Sequence, residues 1–235
     1  MVMKKIAVLL VDDHMVVRQG LRALLAAEAD IEVVGEAEDG RQAVTLARQT
    51  SPDVIVMDVA MPHLNGLEAT RQIARNLPSA RVLVLTSYSD EECVAQLMEA
   101  GAAGYLVKQA AASDLPRAIR EIRRGNAFFS PAVGKRQRER EIERFNDDGA
   151  QGSRKNRGLT SREAEVLQLV AEGFSNQQTA DHLGISIKTI EKHRQQVMNK
   201  LNIHETAGLT RYAISRGLVE TARPETLEEV PSSRS

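Results

Sequence analysis

The run Ile6-Ala7-Val8-Leu9-Leu10-Val11-Asp12-Asp13 decides the fold. Its apolar part is too short for a buried helix and lacks polar alternation, so it reads as a strand covered on both faces. Three later runs repeat the pattern: Val54–Met57 ends at Asp58, Val82–Leu85 at Thr86, and Tyr105–Val107 at Lys108. In an open parallel sheet, ligands bind just outside the carboxyl ends of the strands. The spacing therefore predicts that Asp12, Asp13, Asp58, Thr86 and Lys108 converge on one sheet edge.

Helical periodicity fills the gaps between strands. Helices are expected around His14–Ala26, Arg41–Gln49, Leu67–Arg75, Glu91–Ala100 and Leu115–Arg124, with one more strand at Ile31–Glu36. Five strand-then-helix units specify a parallel sheet with helices on both faces. Right-handed crossovers leave few orders, and the flavodoxin-like order 2-1-3-4-5 fits best. That order sets the first and third strands side by side, so Asp12, Asp13 and Asp58 meet.

Clustered carboxylates repel and call for a cation. Hard oxygen donors in small number suit Mg²⁺, which keeps several waters and favours phosphate co-ligands. Lys108 adds a positive charge and Thr86 a hydroxyl, a set matched to the equatorial oxygens of a phosphoryl group. Asp58, at the end of the central strand, is the expected nucleophile, giving an aspartyl phosphate, and Asp12 and Asp13 are left for the metal. Each residue alone has a plainer reading: an Asp or Thr at a strand end caps a helix, and a lone Lys is a solvated charge. Tyr105 alone reads as core. A phosphohydrolase with the same intermediate would need a second acid two residues after the nucleophile, where Ala60 stands.

The pattern changes after the fifth unit. The expected boundaries are a phosphoacceptor domain at 1–128, a linker at 129–157, an all-α four-helix domain at 158–222 and a disordered tail at 223–235. Within 134–158 a charged stretch, Lys135–Glu141, precedes Gly-, Ser- and Asn-containing sequence without apolar periodicity. Capping boxes at Thr160/Glu163 and Ser175/Gln178 head two helices. Ser186 caps a longer one reaching about Leu201, and Ala207–Ser215 makes a fourth. A short helix, the Gly184 turn and a longer helix form a helix-turn-helix, whose second helix enters the major groove of DNA. On a helical wheel Ile190, Val197 and Leu201 face inward, while Lys188, Lys192, Gln195 and Asn199 face out with Glu191 on a flank. Those outward types read base edges. A solvated polar face is the alternative, which would leave an interaction adaptor without DNA binding.

Overall charge is −1, so nucleic-acid contact must come from a local patch. Residues 154–216 supply one, with ten Lys or Arg against six acids, a modest excess that suits a dimeric binder. The single Cys93 fits a reducing compartment. No apolar stretch is long enough to cross a bilayer, and a cytoplasmic location without a membrane partner is expected.

Val11-Asp12-Asp13-His14, Met57-Asp58-Val59-Ala60-Met61-Pro62, Asn65-Gly66, Leu85-Thr86-Ser87 and Gly104-Tyr105-Leu106-Val107-Lys108 resemble the receiver domain of two-component response regulators. Leu159–Leu167, Ala180-Asp181-His182-Leu183 and Lys188-Thr189-Ile190-Glu191-Lys192-His193 resemble the LuxR-type helix-turn-helix. Together they are similar to the NarL/FixJ family over nearly the whole chain. The resemblance implies phosphorylation of Asp58 by a sensor histidine kinase, and Mg²⁺ held by Asp12, Asp13, Asp58 and the Ala60 carbonyl. It implies a switch through Thr86, Tyr105 and Lys108, and DNA contacts from Lys188, Thr189, Glu191, Lys192, Gln195 and Asn199. It further implies double-stranded promoter DNA as target, a homodimer on DNA through the last helix, and RNA polymerase among the candidate partners. In the unphosphorylated state the receiver is expected to cover the DNA-binding domain. Gln109 replaces the Pro that many receivers carry after the lysine.

Overall fold

The computed structural model describes residues 4–86, 91–130 and 159–219, leaving aside the side chains of 91–93. Most of the expected linker and the whole of the tail lie outside these residues, as does Ser87. The first unit alternates β1 (Ile6–Val11), α1 (Met15–Ala26), β2 (Ile31–Ala37), α2 (Gly40–Thr50), β3 (Val54–Asp58) and α3 (Gly66–Asn76). It continues with β4 (Arg81–Thr86), α4 (Glu91–Glu99), β5 (Gly104–Val107), a 3₁₀ turn at Lys108–Ala110, and α5 (Ala111–Arg123). All strand pairs are parallel, and the order is β2-β1-β3-β4-β5-β6.

The five-stranded order is as expected, with a short sixth strand added at the edge. β6 is Phe128–Phe129, and its pairing brings Phe128 opposite Gly104 and Phe129 opposite Tyr105. The Ser130 N–H extends the attachment by donating to the Tyr105 carbonyl at 3.0 Å. Two phenylalanines are too short a run to register as a strand, yet they cover the open edge of β5. The sheet thus runs slightly past the expected boundary at 128. α5 also starts earlier than expected, at Ala111; Pro116 within it lacks only one ladder donor.

Alternation along each strand divides the core. Val8 and Leu10 of β1 pack under α1 and α5 with Leu21, Leu25, Leu115 and Ile119. Leu9 and Val11 pack on the opposite face with Ala43 and Ala47 of α2, Ile73 of α3 and Leu97 of α4. This double coverage explains why the strands are continuously apolar. It also forces polar side chains at strand ends to gather at the rim.

The second unit contains α6 (Ser161–Ala171), α7 (Asn176–Leu183), α8 (Ile187–Leu201) and α9 (Thr206–Ser215). Both expected capping boxes form, and the Ser186 side chain caps α8 by accepting from Thr189 N. Gly184 ends α7 at φ +65°, the left-handed turn that lets α8 cross back. Val166, Leu167, Val170, Ile190, Val197 and Leu209 are among the residues closing a separate core.

Gly66 is required by contact rather than by dihedral angle. A Cβ there would stand 1.8 Å from the Asp58 carbonyl oxygen, because α3 begins directly against the end of β3. Gly20 in α1, by contrast, has open space. Gly66→Ala is expected to destabilise by at least about 1–3 kcal/mol in urea unfolding, while Gly20→Ala is neutral or stabilising by up to about 1 kcal/mol. Equal effects of the two substitutions would contradict this packing.

Candidate functional site

The carboxyl ends of β1 and β3 bring Asp12, Asp13, His14 and Asp58 together, with one ligand atom of each within 4.8 Å of the others. Asp12 and Asp58 are almost fully buried. Lys108, from the turn after β5, reaches across the rim: its Nζ is 2.7 Å from Asp58 Oδ2 and 3.0 Å from Asp12 Oδ2. The backbone supplies further anchors. His14 N–H donates to Asp12 Oδ1 at 2.9 Å, and Val59 N–H to Asp58 Oδ1 at 2.8 Å. Arg18 of α1 donates from Nη1 to the Asp12 carbonyl at 2.6 Å while pairing with Glu36 and Glu38, which braces the end of β1 against β2.

Burial pushes the Asp58 carboxyl up to about 7, helped by the Asp12 charge and opposed by Lys108. Burial also works against charge on Lys108, but Asp58 and Asp12 outweigh it and hold its pKa above the ordinary lysine value. The cluster fits a divalent ion. Asp12 Oδ2 is buried without a hydrogen-bond partner, with the Lys108 ammonium 3.0 Å away as its ion-pair neighbour. A buried anionic oxygen of this kind calls for a further cation.

Thr86 ends β4, immediately after Leu85, the register partner of Asp58, and is buried. Tyr105 is fully buried on β5 beside Val94, Val107 and Phe129, the surroundings its composition suggested. Ala60 lies buried in the β3–α3 loop. His14 stands in the cluster as well: its Nδ1 is 2.8 Å from Asp13 Oδ1. It is half-exposed and follows two acids, so its presence was readable from adjacency alone.

On the second unit, Lys188, Glu191, Lys192, Gln195 and Asn199 are exposed along one face of α8. Thr189 is half-buried, its hydroxyl 2.8 Å from Ser186 Oγ. The first unit packs elsewhere, against α6 and α7. Gln168 is fully buried, and its Oε1 accepts from Asn65 N at 2.8 Å and Asn65 Nδ2 at 2.9 Å, while Nε2 donates to the Met61 carbonyl at 2.8 Å. Glu172 accepts from His63 N at 3.1 Å, Gln72 donates to Glu165 at 3.1 Å, and Arg41 donates to the His182 carbonyl at 3.0 Å. The loop after Asp58 is thus held by the second unit, while the outward face of α8 stays open. Gln168 was legible only as the polar interruption in Val166-Leu167-Gln168-Leu169-Val170.

The raised acid sets a pH dependence. A carboxyl whose folded pKa lies above its unfolded one stabilises at low pH, and that contribution is lost as pH rises through the folded value. Without divalent cation, the wild type should lose up to about 4 kcal/mol of unfolding free energy between pH 4 and pH 8 relative to Asp58→Asn. Parallel pH profiles in chemical denaturation would refute the assignment.

Residues 8–120 match the family model for the response regulator receiver domain, and residues 157–213 match that for bacterial regulatory proteins of the luxR family. The transcriptional regulatory protein LiaR of Bacillus subtilis is 40% identical over 214 residues, covering 91% of this chain and 99% of its own. The response regulator protein VraR of Staphylococcus aureus is 37% identical over 215 residues, covering 92% and 99%. Among solved structures, the RcsB response regulator of Salmonella typhimurium superposes with a TM-score of 0.61 at 28% identity, covering 91% of this chain and 99% of that one. RcsB from Salmonella enterica serovar Typhimurium bound to promoter rprA gives 0.58 at 28% identity, covering 89% and 98%. A doubly wound domain with an acidic rim, joined to a helix-turn-helix and matched over 91–92% of its length by such relatives, places the chain among the two-component response regulators that regulate transcription through a LuxR-type DNA-binding domain.

Proposed function

We propose that Asp58 is the phosphoacceptor of this regulator, with Asp12, Asp13, Asp58 and the Ala60 carbonyl holding Mg²⁺. The observation that carries this reading is Lys108 lying 2.7 Å from Asp58 at a rim that also holds two further carboxylates. When bound, the ion supplies charge neutralisation for a phosphoryl group. The chain's own residues do the rest. An Asp58 oxygen attacks the phosphorus of a sensor kinase's phosphohistidine, and the P–N bond breaks with its electron pair returning to the imidazole. Lys108 then exchanges a carboxylate partner for a phosphoryl oxygen, and Thr86 and Tyr105 respond on β4 and β5.

The output lies on α8. Lys188, Thr189, Glu191, Lys192, Gln195 and Asn199 read promoter DNA, with α9 pairing two copies. This division sets a receiver at 1–128, a linker at 129–157, a DNA-binding domain at 158–222 and a tail at 223–235. The exposed face of α8 and the relatives' description as transcriptional regulators support this arrangement. The protein then works in the cytoplasm, where kinase output domain, promoter and RNA polymerase are all accessible.

Two experiments test the reading. Asp58→Ala should abolish covalent labelling by acetyl phosphate, and a normally labelled variant would remove Asp58 from its role. Lys188→Ala and Lys192→Ala should each weaken specific operator binding by about 1–3 kcal/mol in fluorescence anisotropy, with acetyl phosphate labelling unchanged. Unaltered operator affinity in both would move the DNA interface off α8.

A further inference from the structure

Two imidazoles, one from each unit, face each other across the receiver contact. His63 sits in the β3–α3 loop at φ +67°, and His182 lies in the last turn of α7. Their ring centroids are 4.9 Å apart with planes at 36°. Phe174 closes the group, 6.3 Å from His63 and 5.8 Å from His182. His63 Nδ1 and His182 Nε2 are both buried without a hydrogen-bond partner. A neutral ring tolerates a buried bare nitrogen at modest cost, but a protonated ring would hold a charged N–H with no acceptor.

The surrounding charges sharpen this asymmetry. Arg41 of α2 donates to the carbonyl of His182 itself, so the local backbone already holds a cation. Asp39, which caps α2, is the acid that favours charge on His182, and it is outweighed. From α6, Glu172 is turned to His63 N and to Gln168. Burial holds Glu172 above the ordinary carboxylate range.

We propose that this ring cluster is a second input to the regulator, with the proton as its ligand: neutral His182 permits docking, and its protonation separates the two units. Acidification would then open the molecule without phosphoryl transfer. The idea deepens the reading of a docked, switchable regulator.

The sign follows from linkage. Burial, then Arg41 and His63, hold the docked His182 below the ordinary histidine value, and undocking restores about 6.5. The undocked form therefore binds the proton better, and docking weakens as pH falls below about 6.5, by up to tenfold per unit. Glu172 acts oppositely, because its docked form binds the proton better, so Glu172→Gln serves as the background that isolates His182.

The test uses the full chain without phosphodonor. Dyes are placed through Glu32→Cys on β2 and Gln196→Cys on α8, both exposed positions, with the single native cysteine removed by Cys93→Ser. Energy transfer should fall between pH 7.5 and pH 5.5 while far-ultraviolet circular dichroism is unchanged, and His182→Asn should abolish that fall. Constant transfer in the Glu172→Gln background, or an equal fall when His182→Asn is added to it, overturns the proposal. Should His182→Asn undock at pH 7.5, imidazole resonances of the wild type decide. Titration of His182 below the free-histidine value supports the proposal, and titration at or above it overturns it. Labelling of Asp58 by acetyl phosphate at pH 7.5 tests the underlying reading separately.

Discussion

Two carboxylates buried at the ends of adjacent strands can share one rim only because Lys108 stands between them. Their burial follows from the sheet: β1 and β3 are central and covered on both sides, so whatever ends them is drawn out of water. Lys108 follows β5, two strands away from β3, and so ties the Asp58 edge to the far side of the sheet. One ammonium thereby links the charge of the rim to the packing of three strands. Anything that takes an Asp58 oxygen from it, whether proton, metal or phosphoryl group, changes what β5 is attached to.

The same rim reaches the second unit by a short path. Asp58 is followed by Val59 and Ala60, then by Met61, whose carbonyl is held by Gln168, and by Asn65, which Gln168 also holds. Gly66 prevents this loop from drifting, because α3 starts against the Asp58 carbonyl. A chain of contacts therefore connects Asp58 to α6 without passing through α4 or α5. Coupling through packed, bistable contacts of this type needs only a small bias between two arrangements.

Much of this was readable before any coordinates. Continuous apolar runs ending in acids specified the parallel sheet, its order and the converging residues, since burial on both faces and strand-end ligand placement are properties of the backbone. Capping boxes located the helices of the second unit because the caps are local. The wheel for α8 separated Ile190 and Val197 from Lys188, Lys192, Gln195 and Asn199, as observed. What escaped was relational. β6 is two residues long and has no signature outside its pairing with β5. Gln168, Glu172 and His63 look like ordinary solvated side chains until the two units are set against each other. Periodicity within one helix carries no information about such a contact.

The amide of Gln168 has a consequence of its own. Carboxamides carry no net charge, so the Gln168 contacts within the joint are not screened by electrolyte. Attraction between α8 and a polyanion, in contrast, collapses as ions accumulate. Ionic strength would thus act as a dial on any grip α8 has on a chromosome while leaving the Gln168 contact where it was.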